Sequence, residues 1–243
     1  MNASDSELLD QFVREGSEDA FTELVRRHVD LVHSAARRQA GPDPRGADEV
    51  AQAGFIALAR KARLLGGRGP LAGWLYTSTR LAAAQHRRAE ARRLNRETTA
   101  HAMSQLDAAG PPAPDWHAIR PVLDDAMHDL DEADREVVLL RYFERRPWAE
   151  VGARLGLAEN TARMRVERAL DRLHAALARR GITSTAAALG LALGAHAVTA
   201  APVGLAARLA PAALAAGVGK VAGLSASPKL ALAALALLLG AGA

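Results

Sequence analysis

Between about Leu130 and Arg180, apolar residues return every three or four positions. The run LDEADREVVLLRYFERRPWAEVGARLGLAENTARMRVERALDRLHAALARR predicts a helix, a short break, a compact helix, a tight turn at Gly156 and a long basic helix. Trp148, Val151 and Leu155 share one face of the compact helix. Ala162, Val166, Ala169, Leu170 and Leu173 form the buried stripe expected of the long one. Gly156 suits the left-handed residue that ends a helix, and Leu157 is placed to plug the angle between the two helices. Glu159 to Thr161 open the long helix, where acidic and hydroxyl side chains suit the positive end of its dipole.

Two helices joined by a turn containing Gly form a helix-turn-helix, whose second helix enters the DNA major groove. Asn160, Thr161, Met164 and Arg168 lie opposite the apolar stripe, flanked by Arg163 and Arg165. Arginine pairs bidentately with guanine and Asn with adenine, while further arginines hold phosphates. A small helical domain with a merely solvated basic face also fits this stretch taken alone.

The same periodicity organises the rest of the chain. Ser4 or Asp5 caps a helix carrying Leu8, Leu9 and Phe12; Ser17 caps the next, with Ala20, Phe21, Leu24 and Val25 inward and Leu31 and Val32 continuing that face. Residues 41–46, with Pro42 and Pro44, read as a loop, and a helix resumes from about Ala47 to Leu65. Glycines and Pro70 break it before a third helix from Leu71 into Arg93. A polar segment ending in Pro111, Pro112 and Pro114 reads as a flexible linker. The expected fold is all-α: two small helical domains (1–94 and 116–181) joined by the linker 95–115. The second is the helix-turn-helix domain, and an apolar helical or low-complexity tail follows over 182–243.

Composition sharpens this. The 243 residues suffice for one or two cores, and 4% aromatic content with abundant Ala and Leu favours helices over a β-sandwich. Net charge is only +4, but acidic residues crowd the start and basic ones crowd Arg80–Arg96 and Arg163–Arg180, as polyanion contact at defined faces requires. There is no cysteine, which excludes disulfides and Cys-based zinc sites. The eight histidines fall at no metal-ligand spacing, so neither a metal nor a cofactor is expected. The acidic, polar N-terminus is not a signal peptide. No glycine-rich phosphate loop or nucleophile elbow is present, so an enzyme is not expected.

Two stretches of the first domain carry chemistry. In GWLYTSTRLAAAQHRRAEARR, Trp74, Tyr76, Thr77 and Arg80 precede His86, Arg87 and Arg88. Aromatic rings beside positive charge suit a single strand, whose bases stack while its backbone follows the charge. Trp74 by itself reads more readily as a core residue. Around Phe55, Asp48, Glu49 and Gln52 share a polar face that a protein partner can use, while Val50, Ile56 and Leu58 pack inward.

The order AFTELVRRHVDLVHSAARR, ADEVAQAGFIALAR, GWLYTSTR, proline-rich linker, LRYFERRPWAEVGARLGLAENTARMRVERAL resembles the sigma-70 family of RNA polymerase sigma factors. The resemblance is to the two-domain extracytoplasmic-function group and covers about Asp5 to Arg180. It implies that Asp48, Glu49, Gln52 and Phe55 dock on core RNA polymerase. It implies that Trp74, Tyr76, Thr77, Arg80, Arg87 and Arg88 recognise and melt the −10 element as a single strand. Asn160, Thr161, Arg163, Met164, Arg165 and Arg168 would read the duplex −35 element. The partners implied are core polymerase, promoter DNA and an anti-sigma factor, in the cytoplasm. The chain departs from the pattern at Leu81 (commonly Asn), Gln85 (commonly Asp), and Ala53 and Gly54 (commonly Glu and a larger residue). Gly54 costs its helix ~1 kcal/mol relative to Ala.

The tail lies outside the resemblance. From Thr183 onward its only charged residues are Arg208, Lys220 and Lys229, and Thr185–Ala201 and Leu230–Ala243 are apolar. The second is shorter than a membrane span, and Ala and Gly drive insertion weakly. The abrupt loss of charge leads to the expectation that the tail regulates the factor, by membrane contact or by covering a polymerase-binding surface. Two rivals stand beside the sigma reading. One is a helix-turn-helix regulator that never joins polymerase; the other is a membrane-tethered interaction protein.

Overall fold

The structure, a computed structural model, describes residues 3–40, 44–65, 71–97 and 116–218. The described residues are helical and contain no strand, as the apolar periodicity predicts. Helix α1 (Asp5–Glu15) opens on a capping box: Ser4 Oγ accepts from the Glu7 N–H, and the Glu7 carboxylate accepts from the Ser4 N–H at 2.6 Å. Gly16, at φ 68°, ends it, and Ser17 caps α2 (Glu18–Gln39). Helix α3 (Pro44–Leu65) starts earlier than the expected Ala47, because a proline fits a helix's first position without losing a hydrogen bond. Helix α4 (Leu71–Glu97) runs past the expected Arg93, so residues 95–97 are helix rather than linker. The remainder of the expected linker lies outside the described residues.

The second half holds α5 (Trp116–His128), α6 (Glu132–Val138), α7 (Trp148–Leu155) and α8 (Glu159–Ala178). Asp131 caps α6, which then widens into a π-helical turn at Leu139–Phe143 that the periodicity does not foretell. Arg145 follows at φ 55°, a conformation costly for a non-glycine residue. Beside it, the Glu144 side chain is buried. The helix-turn-helix has its own small core of Leu140, Val151 and Ala162, against which Leu155 and the expected plug Leu157 pack. Arg141 sits 4.4 Å over the Trp148 ring and anchors the start of α7.

The described part of the tail, residues 182–218, packs on the rest of the chain. It forms α9 (Ala186–His196) and α10 (Leu205–Val218), and both contribute to the cores. The first core gathers α1 to α4, with Phe21, Leu24, Phe55, Leu58 and Leu75, and includes Leu205, Leu209 and Leu214 of α10. The second gathers α5 to α9 but also takes Leu31 and Ala35 from α2 and Ala72 and Tyr76 from α4. The two halves are therefore packed on each other. Among the described residues no helix is long and apolar enough to cross a membrane, and the stretch 230–243 lies outside them.

Two glycines fix close approaches. A Cβ on Gly54 would lie 3.3 Å from Thr79 Oγ1, so α3 and α4 pack closely where a larger residue is usual. A Cβ on Gly152 would lie 2.7 Å from the Leu157 carbonyl oxygen, in the turn closed by the Leu157 N–H donating to the Gly152 carbonyl at 2.9 Å. Backbone cannot swing aside as a side chain can. Gly152→Ala is therefore expected to cost about 1–3 kcal/mol in urea unfolding, and no loss would show that the turn relaxes freely.

Candidate nucleic-acid interface

The long helix α8 buries Ala162, Val166, Ala169, Leu170 and Leu173, as its stripe requires. The opposite face is open. Asn160, Thr161, Arg163, Met164 and Arg168 are exposed and Arg165 is half-exposed. Arg163 pairs within its own helix, to Glu167 at 3.3 Å, and Arg165 lies 4.0 Å from Asp134. Ala158 occupies the N-cap position with no side-chain acceptor, so the first N–H groups of α8 are unclaimed by a cap. A row of cations beginning at such a helix start is suited to phosphate.

The face of α4 is arranged differently. Tyr76 is buried, and its hydroxyl donates to Asp124 of α5 at 2.5 Å. Its ring meets Phe143 edge-on at 5.9 Å between centroids. Expected to stack on a base, Tyr76 is here a core residue, because α5 and the π-helical turn close over it. Trp74 is half-buried against the first core. Trp74 and Thr77 line a cavity of about 270 Å³ with Gly73, Glu132 and Arg135. Arg80 is tied to Asp125 at 2.9 Å. Further along, Arg87 and Arg88 are exposed, and Arg87 donates to the Gln39 carbonyl at 2.6 Å.

On α3, Asp48 pairs with Arg208 of α10 at 3.2 Å, and Glu49 reaches His86 at 3.4 Å. Gln52 is half-buried. Phe55 is fully buried in the first core, a correction to its expected place on a docking surface. It lies on the same stripe of α3 as Asp48 and Gln52, at helical spacing, and is enclosed there by the core that α10 helps to form.

Three polar clusters, none marked by a local motif, hold the halves together. Arg38 of α2 makes a bidentate pair with Asp124 of α5, at 2.9 and 3.1 Å, with both side chains almost fully buried. His28 of α2 lies between Asp5, at 2.9 Å, and Glu144 of the second half, at 3.3 Å, with Arg27, Arg146 and Arg154 around them. Glu136 of α6 places its buried carboxyl against Gly73 in the first turn of α4. A side chain at Gly73 would collide with that carboxyl, which explains the glycine. Residues paired across such separations leave no periodic or spacing signal. Among the described residues no group of three His, Cys, Asp or Glu could hold a metal ion.

These clusters make the contact between halves pH-dependent. Burial opposes the His28 imidazolium, but hydrogen bonds and charge from Asp5 and Glu144 outweigh it and lift its pKa from 6.5 to about 9. Burial, then the nearby Glu144 charge, lifts Glu136 from 4.5 to about 8. A group with a raised pKa stabilises the packed form most when protonated. The His28 contribution is complete below pH 6.5 and is lost as pH rises through about 9. The Glu136 contribution is complete below about 4.5 and is lost through about 8. Glu144 is also strongly desolvated, yet His28 and Arg154 hold its pKa low, so its contribution is lost only as pH falls into the acid range. Stability is therefore expected to decline between pH 6.5 and 9, and His28→Gln to flatten that decline. Urea titrations at stepped pH read this directly; a parent profile that is flat or rising would contradict it.

The comparisons with known proteins bear on the same helices. A family model described as Sigma-70 region 2 matches residues 24–93, spanning most of α2 to α4, and one described as Sigma-70, region 4 matches residues 126–175, from the end of α5 into α8. The chain is 31% identical over 164 residues to RNA polymerase sigma factor CarQ of Myxococcus xanthus, covering 66% of this chain and 90% of that protein. It is 31% identical over 176 residues to RNA polymerase sigma-E factor of Streptomyces avermitilis, covering 68% and 89%. Among solved structures, the sigma factor RpoE in complex with the anti-sigma factor NepR from Bartonella quintana aligns at 21% identity over 66% of this chain and 98% of that chain, with a TM-score of 0.32. On the extent and identity of the two curated matches, the chain belongs to the sigma-70 family of RNA polymerase sigma factors, of the extracytoplasmic-function type.

Proposed function

We propose that this sigma factor binds core RNA polymerase through α3 and aims it at promoters through α8 and α4. Its work is recruitment and strand capture rather than bond-making. The observation that carries the reading is the open face of α8: its apolar stripe is buried while Asn160, Thr161, Arg163, Met164 and Arg168 face outward. Such a helix leans on a core with one side and offers base-reading and phosphate-holding groups on the other, as the duplex −35 element requires.

The −10 assignment falls on Trp74, Tyr76, Thr77, Arg80, Arg87 and Arg88 of α4, and the docking assignment on Asp48, Glu49 and Gln52 of α3. Tyr76 is buried and Arg80 paired in the packed form, so strand capture requires the second half to move off α4. A separated pair of domains is also what simultaneous contact with two promoter elements demands. The units proposed to separate are 1–94 and 116–181.

Replacing Arg163, Arg165 and Arg168 together with Ala tests the α8 assignment. Promoter-duplex affinity should fall, and the slope of log affinity against log salt should shallow by roughly 2–3, since each lost phosphate contact removes about 0.9. Unchanged affinity and slope would place recognition on another surface.

A further inference from the structure

The C-terminal segment crosses from the second half to the first and lies on the surface proposed for polymerase. Helix α9 packs on α8 and the π-helical turn. Residues 197–204 then cross α2, held by backbone groups: Arg38 donates to the Ala197 carbonyl at 2.7 Å, Ser34 Oγ both donates to the Thr199 carbonyl and accepts from the Thr199 N–H, and Asp30 accepts from the Ala201 N–H at 2.8 Å. Helix α10 packs along α3 more extensively than any other pair of helices pack among the described residues.

The register of that contact matters. Arg208 meets α3 at Asp48, and Gly217 meets it at Ala59, where an added Cβ would lie 2.6 Å from the Ala59 Cβ. Arg60 donates to the Ala216 carbonyl at 2.9 Å. Asp48, Gln52 and Ala59 fall on one stripe of α3 at helical spacing, so α10 runs along the face that carries two of the proposed docking residues.

We infer that residues 182–218 form a strap that covers the polymerase-docking face of α3 and holds the two halves closed, so that core polymerase must displace α10 to bind. This rests on the sigma reading above. The strap is built to be displaced. The face that α10 buries consists of leucines and alanines, Pro211 interrupts its hydrogen bonds, and its ion pair to Asp48 is partly exposed and therefore weak. It also lies outside both segments that match the family models, as an added element would. One strap joins both occlusions: α10 lies on α3, while α9 and Arg38 secure the half that buries Tyr76.

The test uses the full chain. The absence of native cysteine lets an Ala59→Cys, Gly217→Cys pair carry a reversible lock after a shift of about 1 Å toward disulfide geometry. Gly217→Leu does the reverse, since its side chain has no room against Ala59. Affinity for core RNA polymerase is measured for the pair when oxidised and when reduced, for Gly217→Leu and for the parent. The strap predicts that oxidation weakens binding at least tenfold, that reduction restores it, and that Gly217→Leu binds several-fold tighter than the parent. Equal, tight binding by all forms would overturn the strap and leave the sigma reading standing. Failure of every form to bind, Gly217→Leu included, would overturn the sigma reading and the strap with it.

Discussion

The guanidinium of Arg38 is buried between the halves of the molecule and has to be satisfied there. Asp124 supplies both carboxylate oxygens, the Ala197 carbonyl takes a third hydrogen bond, and the Phe143 ring lies 5.2 Å away. Those partners come from α5, the C-terminal strap and the π-helical turn. A buried charge that loses its partner costs several kcal/mol, so each of these segments is constrained by the others. Tyr76 is drawn into the same arrangement through its hydroxyl on Asp124. Position of the second half, burial of the α4 face and path of the strap thus follow from one cation.

The polar partners meet only in this arrangement and make the closed form specific, while Leu31, Ala35, Ala72 and Tyr76 supply apolar contact across the same seam. A chain held this way leaves the basic face of α8 exposed while α3 and α4 are covered. Polymerase or promoter can shift it only by as much as they prefer the open form. The raised pKa values of His28 and Glu136 arise at the same seam: Asp5 and Glu144 hold His28 protonated against its burial, while burial and the nearby Glu144 charge hold Glu136 protonated.

Much of this was legible in the residues. The stripes on α2 and α8, the Ser4 and Ser17 caps and the Gly156 turn are local patterns, and each fixes a helix or its end from residues a few positions apart. The division of α8 into a buried stripe and an exposed basic face was legible for the same reason, since a helical wheel needs only neighbours three and four positions away. Phe55 was misplaced and the burial of Tyr76 in the packed form was not foretold, because aromatic residues beside polar ones read equally as surface or core, and only the tertiary partners decide. Arg38–Asp124 and His28–Glu144 join residues far apart in sequence, where no period connects them. The tail misled through composition: Ala and Leu suggest membrane or low complexity, yet Leu205, Leu209 and Leu214 are core residues of the first half.

Once open, the chain is expected to programme polymerase for promoters. Run-off transcription on fragmented genomic DNA with bacterial core polymerase tests it most directly, comparing reactions without the protein, with the full chain and with Gly217→Leu. Discrete new transcripts that depend on the protein, stronger with Gly217→Leu than with the parent, are the predicted result. No protein-dependent transcript from either form, with duplex binding intact, would contradict the account and leave a helix-turn-helix protein that reads DNA without polymerase.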